Sequence, residues 1–187
     1  MNDKISEPPR GSVTSTAVPG YLAGTWKADP AKSTISFSVR QLLVTPVRGR
    51  FTRHEVTIVT DEDPLRSFVA VTIDLASADT GNPKRDEHLS SATFLDAAKH
   101  PSASYRSTGI RPAKDGWVVD GELTLHGITR PVPLAVTRAT FGPQRVRFSA
   151  TAQVKRGEFG IDRWTGGGAV VSDKVGVRLE IDAVLQR

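Results

Sequence analysis

The 187-residue sequence contains no cysteine, which excludes a disulfide framework and thiolate chemistry. It also has no stretch that approaches the ~20 apolar residues of a membrane-spanning helix. Residues 1–20 lack the apolar core, roughly 7–15 residues long, that a signal peptide needs. Their Ser, Thr, Pro and Gly content predicts a disordered tail over residues 1–22, followed by a single domain over residues 23–187. These features together predict a cytoplasmic protein.

The motifs of several enzyme classes are missing as well. No G-x-S-x-G sequence marks a serine nucleophile, and Gly166-Gly167-Gly168 is not followed by the Lys-Ser or Lys-Thr of a phosphate-binding loop. No two of the four histidines, at positions 54, 88, 100 and 126, are two or four residues apart, so no structural zinc site is predicted. A site assembled from distant strands stays open. We predict no catalytic residues, no metal and no cofactor.

The chain carries a formal net charge of +5 at pH 7, yet its arginines are spread along the sequence instead of forming a block. They alternate with apolar residues, as in Arg145-Val146-Arg147-Phe148, which is typical of the solvent side of a strand. We therefore interpret the charge as a solvated basic face and predict no nucleic-acid partner. A transient membrane contact and a two-fold homodimer stay open.

Beyond Gly24 the dominant pattern is an alternation of apolar and polar residues. In residues 33–40, for example, Ile35, Phe37 and Val39 fall on one face of the segment. Such alternation indicates strands with one buried face, and the short turns between them favour an all-β antiparallel meander. We expect the last strand to pair with the first and close a barrel of about eight strands, wide enough for one small ligand. The eight predicted strands cover residues 33–40, 47–60, 67–75, 102–111, 117–125, 129–141, 145–155 and 175–185.

Residues 82–100 break this alternation and are rich in helix formers. Pro83 suits the first turn of a helix, and Thr93 suits the start of a second short helix over residues 94–99, which Pro101 would end. We predict a short helical insertion over residues 83–99. It acts either as a lid over the barrel or as a plug that completes the core.

Several segments, taken in order, carry a resemblance to a known family. They are residues 26–29 (WKAD), 33–40 (STISFSVR), 47–51 (VRGRF), 85–91 (RDEHLSS) with Phe94-Leu95-Asp96 and Pro101, 121–132 (GELTLHGITRPV) and 159–161 (FGI). The chain from Trp26 to Leu185 resembles the YceI-like family of polyisoprenoid-binding proteins. The resemblance implies a lipocalin-like barrel that encloses an isoprenoid chain and has no catalytic activity. The sequence departs from the family at one position, because the family usually has a histidine where this chain has Gln41. If that histidine helps to hold a ligand head group, a different ligand is expected here.

An isoprenoid chain needs an apolar tunnel, since each buried CH₂ group contributes about 0.8 kcal/mol of transfer free energy. The large apolar residues that we place along this tunnel are Phe37, Phe51, Leu89, Phe94, Phe148 and Leu179. Alternatively, these side chains simply fill a dry core, as is normal for small barrels.

A pyrophosphate or quinone head group would need hydrogen-bond donors at the mouth of the tunnel, and the candidates are Arg85, His88 and His126. An arginine can present two parallel donors to phosphate oxygens. Alternatively, Arg85 forms an ion pair with Asp86, Glu87 or a neighbouring strand.

We therefore predict non-covalent binding of a hydrophobic, isoprenoid-type ligand, such as a polyprenyl phosphate or a prenyl quinone, for transport, storage or sequestration. Two other classes of function stay open. One is an enzyme that acts on a small lipid, and the other is a packed-barrel interaction module that works through its basic face.

Overall fold

The computed structural model describes residues 18–41, 45–161 and 171–187, without the side chain of Gln41. Most of the predicted tail and the Gly166-Gly167-Gly168 segment lie outside the described residues. Within those ranges the secondary structure comprises strands β1 (Gly24–Ala28), β2 (Thr34–Gln41), β3 (Thr45–Phe51), β4 (His54–Thr60), β5 (Phe68–Asp74), β6 (Ala78–Asp79), β7 (Ser102–Ala113), β8 (Gly116–Leu125), β9 (Ile128–Pro131), β10 (Leu134–Phe141), β11 (Arg145–Lys155) and β12 (Lys174–Leu185), helix α1 (Pro83–Ser90), and short 3-10 turns at Pro64–Arg66, Leu75–Ser77 and Arg156–Phe159.

The strands pair antiparallel and close into a barrel. The order around the ring is β1, β4, β5, β7, β8, β10, β11 and β12, and β12 pairs back onto β1, where Trp26 lies opposite Leu185. Strand β12 also pairs with β2, where Leu179 lies opposite Ile35. The predicted all-β antiparallel barrel, closed by its last strand, is confirmed.

Twelve strand segments of the described chain fill eight positions around the barrel because four positions are interrupted. Strands β1 and β2 both pair with β12 and so share one position in the ring. Strand β4 pairs with β1 and strand β3 pairs with β2, so β3 and β4 share the next position. Strand β9 pairs with β8, and β10 continues along β8 after Pro133. Proline has no N–H to donate to a strand ladder, which accounts for that break. The alternation over residues 47–60 and 129–141 predicted the strand positions correctly but not their interruptions.

The alternating pattern determines which side chains point into the barrel. In β11, Val146, Ala150 and Val154 are buried, whereas Arg147 and Thr151 between them are exposed. The same period of two recurs in neighbouring strands, so the inner faces meet in one apolar core.

The helical insertion is present but shorter than predicted. Helix α1 begins after Asn82, whose side-chain oxygen accepts a hydrogen bond from the backbone N–H of Arg85 at 3.2 Å. The helix ends at Ser90, and the following residues up to Lys99 form turns and bends. The second helix predicted over residues 94–99 is therefore wrong. Asp96 has a φ of +48°, which a right-handed helix does not allow.

Among the described residues, no helix has the length and apolar character that crossing a membrane requires.

Several arginines on the outer surface of the barrel have carboxylate partners. Arg145 and Arg147 both contact Asp182, and Arg178 contacts Glu180. Pairs of this kind are typical of a solvated charged face, which agrees with the interpretation of the net charge. Three further pairs are Arg50 with Asp79, Arg53 with Asp74 and Arg111 with Asp120.

Candidate functional site

The interior of the barrel is not completely filled. Two cavities lie within it, with volumes of about 170 Å³ and about 110 Å³. Each is much larger than the roughly 10–15 Å³ that a single water molecule needs. We call the larger one the helix-side cavity, because Leu89 of α1 contributes to its wall, and the smaller one the Tyr21-side cavity, because Tyr21 contributes to its wall.

The two cavities adjoin. Val71, Leu134 and Leu179 line both of them. These side chains come from β5, β10 and β12, which lie in different parts of the ring. Most of the other lining residues are aliphatic or aromatic, because they occupy the inward positions of the alternating strands. The barrel therefore offers adjoining spaces suited to an apolar molecule and poorly suited to water.

Two phenylalanines form part of the helix-side wall. The ring centroids of Phe37 and Phe51 are 5.1 Å apart, in a tilted arrangement. The ring of Phe37 lies against Gly49, and a Cβ atom at position 49 would come within 2.9 Å of its Cε1 atom. Gly49 thus makes room for the ring within the wall. Leu89 and Phe94 from the helical insertion line the same cavity, so the insertion contributes to the binding space itself.

Aromatic rings also line the Tyr21-side cavity. Phe148 packs edge-to-face on Phe141, with ring centroids 5.5 Å apart, and Phe141 packs on Tyr21 at 5.0 Å. The Tyr21 hydroxyl donates a hydrogen bond to the carbonyl oxygen of Asp61 at 2.6 Å. Val18 and Tyr21, from the segment predicted as a tail, therefore contribute to a wall of the barrel.

The six apolar residues predicted to line a tunnel all lie in a cavity wall. Four line the helix-side cavity, Phe148 lines the Tyr21-side cavity and Leu179 lines both. Their contact with a ligand stays a prediction.

The three predicted head-group residues lie elsewhere, and none of them is among the described residues that line these two cavities. The side chain of Arg85 donates to the hydroxyl of Thr80 at 2.8 Å and to its carbonyl oxygen at 3.0 Å. The carbonyl oxygen of His88 accepts hydrogen bonds from Ser91 at the end of α1. His126 contacts the carbonyl oxygen of Phe159 through Nδ1 at 3.1 Å.

A buried arginine, which the sequence interpretation missed, lines the helix-side cavity. Arg156 is 8% exposed, and its guanidinium donates to the carbonyl oxygens of Ser172, Ile161 and Val171 at distances of 2.9, 2.6 and 2.9 Å. A signal was present in the sequence, because Arg156 follows Val154 at the next inward position of the β11 alternation. The guanidinium is turned towards these carbonyl oxygens, and Arg156 lines the apolar wall through the carbon atoms of its side chain.

The tyrosine hydroxyls in the walls are hydrogen-bonded and hard to ionise. The hydroxyl of Tyr105 donates to the carbonyl oxygens of Val119 and Val132 at 3.1 and 3.0 Å. Burial, assisted by the charge of Asp120, raises the pKa of Tyr105 well above its usual value. Burial also raises the pKa of Tyr21, since it outweighs the opposing hydrogen bond from Ser67. Both groups therefore stay protonated at neutral pH, where neither is suited to act as a base.

Comparison with known proteins places this architecture in a family. A sequence model of the YceI-like domain matches residues 26–183. Protein YceI of Escherichia coli O17:K52:H18 is 32% identical over 159 residues, which are 82% of each chain. A UPF0312 protein of Serratia proteamaculans is 35% identical over 148 residues, which are 75% of this chain and 77% of the relative.

Solved structures show the same fold. BcnA of Burkholderia cenocepacia superposes with a TM-score of 0.72 at 25% identity, covering 83% of this chain and 98% of BcnA. A polyisoprenoid binding domain of Saccharophagus degradans superposes with a TM-score of 0.68 at 17% identity, covering 88% of this chain and the whole of that domain. Because the family model matches residues 26–183 and the relatives with 30% or more identity cover most of the chain, this chain belongs to the YceI-like family.

Proposed function

We propose that this protein binds a hydrophobic, isoprenoid-type ligand inside its barrel, without catalysis, for transport, storage or sequestration. The observation that carries the proposal is the pair of adjoining apolar cavities. Protein interiors are normally packed as densely as organic crystals, so apolar space of this size is unusual in a core that has no ligand to accommodate. A barrel that served only as a packed interaction module would have no need of it.

The energetic argument favours a long apolar chain. Each CH₂ group that moves from water into the cavity contributes about 0.8 kcal/mol. Val71, Leu134 and Leu179 line both cavities, so a flexible branched chain that displaces these side chains would occupy both. The presence of a polyisoprenoid binding domain among the proteins of the same fold supports this choice of ligand.

Arg156 is the residue that we assign to the ligand head group. Its guanidinium already makes three hydrogen bonds to backbone carbonyl oxygens, and an arginine has five N–H donors. A phosphate or a quinone oxygen would reach the remaining N–H donors where the guanidinium turns from these carbonyl oxygens towards the cavity. It would there accept a charge-assisted hydrogen bond in surroundings that exclude water, where such bonds are strong. A polyprenyl phosphate or a prenyl quinone combines an apolar chain with a head group of this kind.

The first test is native mass spectrometry of the purified protein, followed by denaturation and lipid extraction. We expect a retained species with the mass of a prenyl phosphate or prenyl quinone. If no such mass is retained and added isoprenoids do not raise the melting temperature, the proposal is wrong.

Cavity-filling variants make the test specific to the site. Ala152 lines the helix-side cavity, and Ala152→Phe should remove most of the retained ligand because the added ring occupies its space. The matched control is Ala135→Phe on β10, since Ala135 is exposed on the outer surface and should leave retention unchanged. Equal retention by Ala152→Phe and the wild-type protein, with both folded, would contradict binding inside the barrel.

A further inference from the structure

Three potential metal ligands, which come from two separate segments of the chain, meet beside the helix-side cavity. They are Asp96 and His100, in the turns that follow α1, and His126, between β8 and β9. Each offers one ligand atom, and the three atoms lie within 4.8 Å of one another. The rings of His100 and His126 are tilted against each other, with centroids 5.0 Å apart. All three residues are half-buried, so a cation could reach them while bulk water is partly excluded.

The hydrogen bond of His126 leaves its second ring nitrogen available. Nδ1 lies 3.1 Å from the carbonyl oxygen of Phe159. A carbonyl oxygen only accepts hydrogen bonds, so Nδ1 carries the proton and Nε2 of the neutral ring keeps its lone pair. Metal-ligating histidines commonly donate their other ring N–H to a carbonyl or carboxylate, which orients the ring.

The backbone holds two of the three ligands in a rare conformation. Asp96 has a φ of +48° and His126 a φ of +55°, and within the described chain these are the only residues other than glycine with a positive φ. Such conformations are uncommon for residues with a Cβ atom and cluster at functional sites. At His126 the positive φ belongs to the two-residue hairpin turn that it forms with Gly127 between β8 and β9. These turns fix the backbone positions from which the side chains of Asp96 and His126 approach each other.

The third ligand is held by its own turn and by a glycine. The backbone N–H of His100 donates to the carbonyl oxygen of Asp96 at 2.8 Å, which brings this i, i+4 pair onto one side of the turn. The His100 ring lies against Gly127, where a Cβ atom would come within 2.9 Å of its Cε1 atom. Gly127 therefore lets His100 approach His126. The sequence analysis missed this group because it compared the spacings of histidines only, whereas the pair that is four residues apart is Asp96 and His100.

From this arrangement we propose that Asp96, His100 and His126 bind a divalent transition-metal cation, with Zn²⁺ the best match. Two imidazoles and one carboxylate are a common three-ligand set for zinc, which leaves a fourth position open to water. Zinc–ligand distances of about 2.0–2.2 Å place tetrahedral ligand atoms about 3.5 Å apart, so binding requires only small rotations of these side chains. Leu95 and Leu125, the neighbours of Asp96 and His126, line the helix-side cavity. The cation would thus lie just outside the apolar space, and its binding does not depend on a lipid.

The test uses the full chain after treatment with EDTA and gel filtration. Titration with Co²⁺ should produce the visible absorption of a low-symmetry Co²⁺ site with one equivalent bound, and Zn²⁺ should displace the Co²⁺. We expect His100→Phe, which keeps an aromatic ring against Gly127, to weaken Zn²⁺ binding at least tenfold in calorimetry. The matched control is His54→Gln, which removes an imidazole outside the cluster and should bind Zn²⁺ like the wild-type protein.

Histidine-ring NMR of the wild-type protein gives an answer that does not depend on a variant folding. On addition of Zn²⁺, the ring signals of His100 and His126 should shift, whereas the ring of His54 should not. The proposal fails if the protein binds no metal, if His100→Phe binds as tightly as the wild-type protein, or if Zn²⁺ shifts the His54 ring instead.

Discussion

At the scale of single residues, Gly121 shows how closely the wall of the barrel is fitted around Tyr105. Gly121 is buried in β8, and its carbonyl oxygen accepts a hydrogen bond from the N–H of Val132. The hydroxyl of Tyr105 lies against the Cα atom of Gly121. A Cβ atom at position 121 would overlap the phenol ring and would also come within 2.7 Å of the carbonyl oxygen of Arg106. The absence of a side chain at this position therefore allows Tyr105 to reach its two carbonyl partners.

We expect Gly121→Ala to lower the free energy of unfolding by about 2–4 kcal/mol, because it overpacks the wall and displaces the Tyr105 hydroxyl from its hydrogen bonds. Urea denaturation followed by tryptophan fluorescence measures this change. The control is Gly109→Ala on the adjacent strand β7, where a Cβ atom would have nothing within 4 Å. Similar losses for the two variants would contradict the assigned role of Gly121.

At the scale of elements, Asp182 joins the strands on either side of the barrel closure. Its side chain, in β12, is 8% exposed and contacts Arg145 and Arg147 of β11. Arg145 also contacts Asp29, which follows β1. Burial alone would raise the pKa of Asp182, but the hydrogen bonds from Arg145 and Arg147 outweigh it and hold the pKa below its usual value.

This depressed pKa gives a pH-dependent prediction. A carboxyl whose pKa is lower in the folded state stabilises the fold above its unfolded-state pKa of about 3.9, and that contribution is lost as the pH falls through the folded-state pKa. Asp182→Asn should therefore lower the free energy of unfolding by about 1–3 kcal/mol at pH 7. The difference from the wild-type protein should shrink below about pH 4.

Urea titrations at several pH values measure this difference. Asp120→Asn is a suitable control, because Asp120 pairs with Arg111 on the exposed surface, where ion pairs contribute little. If the free energy of unfolding of Asp182→Asn stayed below that of the wild-type protein by the same amount from pH 7 to pH 3, the ionised carboxylate would not be the stabilising group.

Strands and helices could be predicted where the sequence carries a repeating pattern. They could not be predicted where the conformation of a single residue determines whether a helix forms. Alternation placed β11 and β12 correctly because each has one face in the core along its whole length. The second helix predicted over residues 94–99 is absent, and Asp96 within it has a positive φ that residue type alone does not determine. Arg156 was missed because it lies one residue beyond the predicted strand over residues 145–155, although its side chain continues the inward face of that strand.

At the scale of the whole molecule, the two cavities lie along one barrel and share three side chains. The sequence predicted the inward-facing residues, but the space that they leave depends on strand tilt and on how side chains interdigitate across the barrel. Ala139 lines the Tyr21-side cavity alone, whereas Ala152 lines the helix-side cavity alone. These two positions allow each end of the binding space to be closed separately.

We expect prenyl alcohols of increasing chain length to bind with increasing affinity until the chain fills both cavities. Each added isoprene unit should tighten binding at least about tenfold, since a buried CH₂ group contributes about 0.8 kcal/mol and a factor of ten corresponds to about 1.4 kcal/mol. Fluorescence titration of the tryptophans measures the affinities. Ala139→Phe should leave the affinity for short prenyl alcohols unchanged and should remove the increase in affinity that longer ones show. An affinity independent of chain length would argue against a ligand that spans both cavities.

The three pairings of β12 also have a consequence for biosynthesis. Strand β12 pairs with β11, β1 and β2, and among the described barrel strands it is the last to be synthesised. Until then the edges of these three strands stay unpaired and the inner apolar face is open, which is the condition in which nascent β-sheets pair with other chains. Completion of the barrel therefore waits for the synthesis of β12, and a chain truncated before β12 would expose these strand edges to chaperones and proteases.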